Sequence, residues 1–245
     1  MSQTIKTINQ LSQAQQTKVI NLKMDLRSGT IFQIPSDPNY AKKYPTHFFV
    51  LNMQDDHQSV KILKSMTDPL GADVFNKNDN KGLNLLFLAI GTSKLNALEM
   101  MMTSGADPAQ FNRKLYLTPM GYAAYDGFNQ ALTVMLKHGA DPFLKMEDAD
   151  RFKPYVRNST LLHRLSGMRR NNLQEVIKTL LPYYPDLTIE RGDGKNIIDM
   201  LMENPLTEKL ITTELHLRAQ KMQQQLEAIV TTNNNNNNTK HKLKI

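Results

Sequence analysis

Apolar residues along this chain fall in short clusters at helical spacing. The clusters include Val60, Ile62 and Leu63; Leu85, Leu86 and Phe87; Leu98, Met100 and Met101; Val134, Met135 and Leu136; Leu161 and Leu162; Val176, Ile177, Leu180 and Leu181. Polar starters precede three of the helices so predicted, at Asn84, Thr118 and Thr160. Thr118 can cap its helix while Pro119 occupies the first turn, where a missing N–H costs nothing. A longer helix is expected from Pro205 to Val230, with Leu206, Leu210, Leu215, Leu217, Met222, Leu226 and Ile229 as its apolar positions. The pattern predicts an all-α protein.

A period underlies the clusters. Gly-Ala-Asp occurs at Gly71, Gly105 and Gly139, each 34 residues after the last, and the first two are followed 13 residues on by the starters Asn84 and Thr118. A constant interval of this size signals stacked supersecondary units. Gly105 and Gly139 stand where a helix must stop in a left-handed residue. Asp107-Pro108 and Asp141-Pro142 carry turn chemistry that keeps the helix from continuing. Small Ala89, Ala123 and Ala124 let neighbouring helices approach. Leu98, Met101, Val134 and Leu136 are placed to fill the layer between units.

These residues resemble the ankyrin-repeat family, whose pattern is Thr-Pro-Leu-His-x-Ala, a second helix rich in Val and Leu, then Gly-Ala-Asp-Pro. The best copy runs from Thr118-Pro119 through Ala123-Ala124 and Val134-Met135-Leu136 to Gly139-Ala140-Asp141-Pro142, and the copy before it from Asn84 to Pro108. A later copy keeps Thr160 and His163 and degenerates to Tyr184-Pro185-Asp186. Asp193-Gly194-Lys195-Asn196-Ile197-Ile198-Asp199 resembles the start of a terminal repeat. Thr46-His47-Phe48-Phe49 looks like a divergent first repeat. The resemblance implies an ankyrin-repeat solenoid of four to five helix-turn-helix repeats with finger loops and a C-terminal helix. Residues 45–215 would form the repeat domain, between an N-terminal extension (1–44) and a C-terminal helix extension (216–230). The front of the long helix is expected to cover the open end of the stack. Its rear, with Gln223, Gln224 and Gln225, is polar enough to project or to meet a partner helix. The resemblance also implies that His163 is a structural histidine bonding between repeats, with His47 similar. Thr160 follows Gly139 by 21 positions, an insertion that falls in the finger from Leu144 to Asn158. Met168–Asn172, with its Arg169-Arg170 pair, lengthens a turn and reads as a solvated corner.

Charge changes little. The chain carries +7, but residues 1–50 account for +4 and the last fifteen residues for +3, leaving 51–230 neutral. A nucleic-acid-binding domain concentrates basic charge on a folded face, so nucleic acid is disfavoured as a partner. Asn233 to Asn238 with Lys240, Lys242 and Lys244 reads as a disordered tail over 231–245. No apolar run of about 18 residues predicts a membrane span, no Sec-type leader is expected, and a cytoplasmic monomer is the expectation. There is no cysteine, and hence no disulfide or thiol chemistry.

Catalytic motifs are missing from the sequence: there is no phosphate loop, no dinucleotide fingerprint and no His-Glu-x-x-His. The six histidines are scattered, and Glu147, Asp148 and Asp150 lack the spacing of a calcium loop. The reading is therefore a non-enzyme without cofactor or metal that binds an unidentified partner protein on the concave face of the stack. The candidate contacts are Phe111, Arg113, Lys114 and Tyr116 in one finger, Lys77, Asn78 and Asp79 in the preceding one, and Arg151, Phe152 and Tyr155 in the insertion. Two alternatives stand beside it. One is a secreted effector of an intracellular bacterium whose repeats select a host target. The other is a binder of anionic surfaces acting through the basic ends.

Overall fold

The computed structural model describes residues 37–112, 118–143 and 158–242, with side chains as far as Thr231. Among these residues the backbone is mostly helical and contains no strand, with an isolated bridge between Glu190 and Asn196. The helices are α1 (Tyr40–Lys43), α2 (Pro45–Asn52), α3 (His57–Thr67), α4 (Asp73–Asn76), α5 (Leu85–Gly91), α6 (Leu95–Thr103), α7 (Pro119–Asp126), α8 (Asn129–Lys137), α9 (Leu161–Ser166), α10 (Leu173–Leu180), α11 (Ile197–Met202) and α12 (Glu208–Lys242). The chain divides into two compact units, Met1–Met146 with Glu175–Pro185, and Glu147–Gln174 with Asp186–Ile245. The boundary passes through α10.

In the first unit the helices form pairs, α2 with α3, α5 with α6 and α7 with α8, and the pairs stack like on like. The first helices α2, α5 and α7 pack in one row; the second helices α3, α6 and α8 pack in another. A helix flanked on both sides must be apolar all round, and every residue of α5 is buried. Ala89, Ala123 and Ala124 are buried, as close approach requires. Leu98, Met101, Leu132 and Met135 are fully enclosed, while Val134 stays half-buried on the outer side of α8. Each such Leu or Met contributes roughly 1.5–3 kcal/mol by leaving water.

The 34-residue period is written into the backbone hydrogen bonds. Ala106 N–H donates to Met101 O and Ala140 N–H to Met135 O, both at 3.0 Å. Gly105 and Gly139 take φ of 90° and 83° and close the two second helices. Lys94 N–H donates to Ala89 O as Phe128 N–H does to Ala123 O, both at 2.8 Å, and the residues before them, Ser93 and Gly127, are both left-handed. Asp107 and Asp141 each accept the N–H two residues on at 2.8 Å, the side-chain turn that Asp supplies. The caps recur too: Asn84 Oδ1 accepts from Phe87 N–H and Thr118 Oγ1 from Gly121 N–H. The first pair departs from this register. There α3 runs into a tight 3-10 turn (Asp68–Leu70), and Asp73 opens the short α4 instead of closing a side-chain turn.

In the second unit α9 packs on α11, and α11 on α12. Asn196 caps α11 through Asp199 N–H at 2.8 Å. Asn204 donates to Ser166 O and Met168 O, the carbonyls left open beyond the end of α9, and accepts Leu206 N–H. That bonding, with Thr207 donating to Leu201 O, holds Pro205 in a turn, so α12 starts at Glu208 rather than at Pro205. The backbone of α12 stays helical to Lys242, through the Asn run that composition reads as disordered. Extending an existing helix adds a hydrogen bond per residue without a new nucleus.

Candidate interaction surface

The first finger spans residues 77–83, and its shape is set by one carboxylate. Asp79 Oδ1 accepts the N–H groups of Lys81 and Leu83, both at 2.8 Å, while Oδ2 accepts the Tyr40 hydroxyl at 2.8 Å. Asp79 N–H donates to Leu83 O, and Gly82 turns the loop at φ 85°. Asp79 is 7% exposed. Burial, with the Asp79 charge beside it, pushes the Tyr40 hydroxyl far above its usual range, so it stays a donor.

His47 supports the same loop from below. Its Nε2 lies 3.0 Å from Lys77 O, which fixes that nitrogen as the N–H donor, and Thr46 Oγ1 stands 3.4 Å from Nδ1. Burial lowers the His47 pKa, keeping the ring neutral. The second finger is laced to the first: Asp107 N–H donates to Asn76 Oδ1, Gln110 Nε2 to Asn76 O, Asn84 Nδ2 to Gln110 Oε1 and Asn112 Nδ2 to Gly82 O. The backbones are thereby held while the side chains of Lys77 and Asn78 stand exposed.

The candidates from sequence therefore separate. Lys77 and Asn78 are at the surface, and Phe111 is half-buried. Asp79 departs from the exposure expected of a finger residue, because three hydrogen bonds inside the fold take up its carboxylate. Arg113, Lys114, Tyr116, Arg151, Phe152 and Tyr155 lie outside the described residues, as do Glu147, Asp148 and Asp150. Among the described residues no group of His, Asp and Glu is placed to hold a metal ion.

Two ties escaped the sequence reading. Lys94 is buried, and its Nζ donates to Val50 O and Leu51 O at the end of α2, filling carbonyls that the helix leaves open. Burial lowers its pKa to about 8. In return Asp55 accepts the N–H groups of Asn96 and Ala97 at the start of α6. A lysine or aspartate between apolar clusters looks like ordinary surface in a sequence, so neither leaves a signal there.

His163, in the second unit, is buried and bonds at both ring nitrogens. Its Nδ1 accepts Thr160 N–H at 3.1 Å and its Nε2 donates to Ile189 O at 2.9 Å, 26 residues on. Burial lowers its pKa as well. Arg191 and Asp193 close the next turn through two 2.7 Å contacts, which hold the Asp193 carboxyl down at about 2. Arg169, in the lengthened turn, is exposed. The chain matches no protein-family model and no curated protein.

Proposed function

We propose that the chain is an ankyrin-repeat protein that binds a partner protein through its finger loops and the first helices of its stack. The observation that carries the reading is the recurrence, 34 residues apart, of the same cap, left-handed residue, chain reversal and side-chain turn, with first helices packed on first helices and second on second. Such a register leaves the finger tips free of packing duties. Their backbones are held by Asp79, His47, Asn76 and Gln110, so exposed side chains such as Lys77 and Asn78 are displayed with little ordering left to do on binding. Arg113, Lys114 and Tyr116, with Phe111, are the anchors assigned to the next finger, and Arg151, Phe152 and Tyr155 those of the insertion. Among the described residues no helix is long and apolar enough to cross a membrane.

The test is capture from a lysate by the intact protein and by an Arg113→Ala, Lys114→Ala, Tyr116→Ala variant of equal helicity. A protein retained by the first and lost by the second supports the reading. Identical captures would overturn the finger assignment.

A further inference from the structure

The rear of α12 carries an apolar stripe that no described residue of the chain covers. The front of the helix is anchored: Ile211 is fully buried, Glu214, Leu215 and Arg218 are half-buried, and Arg218 donates to Glu214 at 2.7 Å. From Ala219 onward every residue is exposed as far as Thr231. Met222 is 64% exposed, Leu226 58% and Ile229 57%. A projecting helix gains nothing from packing, and packing supplies most of a helix's stability in a protein.

Ala219, Met222, Leu226 and Ile229 follow a three-four-three spacing, which places them on one seam. We propose that this seam pairs with the same seam of a second copy of the chain, the two helices antiparallel about a two-fold axis between Met222 and Leu226. Turned against itself, the stripe sets Ala219 opposite Ile229 and Met222 opposite Leu226. Small meets large, and four successive layers are filled with apolar side chains. These four layers coincide with the exposed part of the helix. A parallel pair would instead set Ala219 on Ala219, leaving a gap, and would bring Lys240 and Lys242 of both chains to the same end. The antiparallel pair sets position 240 opposite Glu208 and keeps the two basic ends apart. It also opposes the two helix dipoles.

Of the residues flanking the seam, Gln223, Gln225 and Val230 carry no charge, and Arg218 is paired with Glu214 of its own helix. A two-fold pairing needs one self-complementary patch rather than two matched ones, and the stripe has that property.

Sedimentation velocity of the full chain between about 1 and 200 µM, the range suited to a small interface, should show a concentration-dependent monomer–dimer equilibrium. Leu226→Lys puts like charges into the seam and should weaken association about 100-fold or more. Leu217→Lys, on the opposite side of the helix, should leave it within about threefold, since a single exposed charge off the contact adds little. Both sites are solvent-exposed, so neither variant disturbs the folded units, which an unchanged unfolding midpoint would verify. The chain contains no cysteine, so orientation can be read cleanly. An equimolar mixture of Ala219→Cys and Ile229→Cys proteins should cross-link under mild oxidation far faster than either alone. A monomer at every concentration, or a dimer indifferent to Leu226→Lys, would overturn the proposal. Equal cross-linking of each single variant alone would overturn the antiparallel arrangement.

Discussion

The pairs α5–α6 and α7–α8 and the helices α2 and α9 meet the same demand by different means. In each case the start of a helix must be fixed against its neighbours. In α5 and α7 the third helical position is Phe87 or Gly121, and the helix is held by the burial of that position and by a side-chain cap. In α2 and α9 that position is His47 or His163, and the ring reaches 30 or 26 residues ahead to the backbone carbonyl of Lys77 or Ile189. Apolar burial involves no titrating group and so does not depend on pH. A neutral imidazole bridging two backbone groups depends on its protonation state.

The largest effect should come from breaking the apolar solution. Leu132→Ala empties a fully buried site in α8 and should cost about 3–5 kcal/mol by urea unfolding, with little dependence on pH. Acidification should break the histidine solution. Both histidines have folded pKa values lowered by burial, so the unfolded chain binds protons more readily. Their contribution is present above the ordinary histidine value of about 6.5 and is lost as the pH falls below it toward the lowered folded values. Urea midpoints should therefore drop from pH 7.5 to pH 5.5, and the drop should shrink in His163→Gln. A drop of full size in that variant would mean that His163 is not the group responsible.

Two smaller changes sharpen the equivalence of the regular copies. Thr118→Ala removes the cap of α7 and should cost about 1 kcal/mol. Ser93 is left-handed at φ 55°, where the next copy has Gly127 at φ 77°. Ser93→Gly relieves a conformation that costs an L-residue about 1–2 kcal/mol while loosening the unfolded chain. A net gain of roughly 0.5 kcal/mol is expected, and a loss would mean that the serine side chain has a role of its own.

Much of the helical framework could be read from the chain, because the signals that make it are local. Thr118-Pro119, Gly105 and Gly139, and Asp107 and Asp141 act on backbone groups within five residues of themselves. The copy around Asn84 was legible for the same reason, since Asn caps as Thr does. The candidate surface was less legible. Asp79 has the composition of a finger tip, and only the arrival of Tyr40, 39 residues away, explains why its second carboxylate oxygen turns inward. The start of α12 was misplaced because the bonding of Asn204 to carbonyls 36 and 38 residues earlier holds Pro205 outside the helix.

By itself the sequence determined the helical class, the 34-residue spacing, the caps and the chain reversals, since each depends on the conformational preference of a residue and its near neighbours. Only the tertiary structure decided which polar groups become interior ties and which stay at the surface. Asp79, Lys94, His47 and His163 are buried because their hydrogen-bond partners lie 26 to 44 residues away in the chain. A buried polar or charged group is stable only when such partners have been assembled around it.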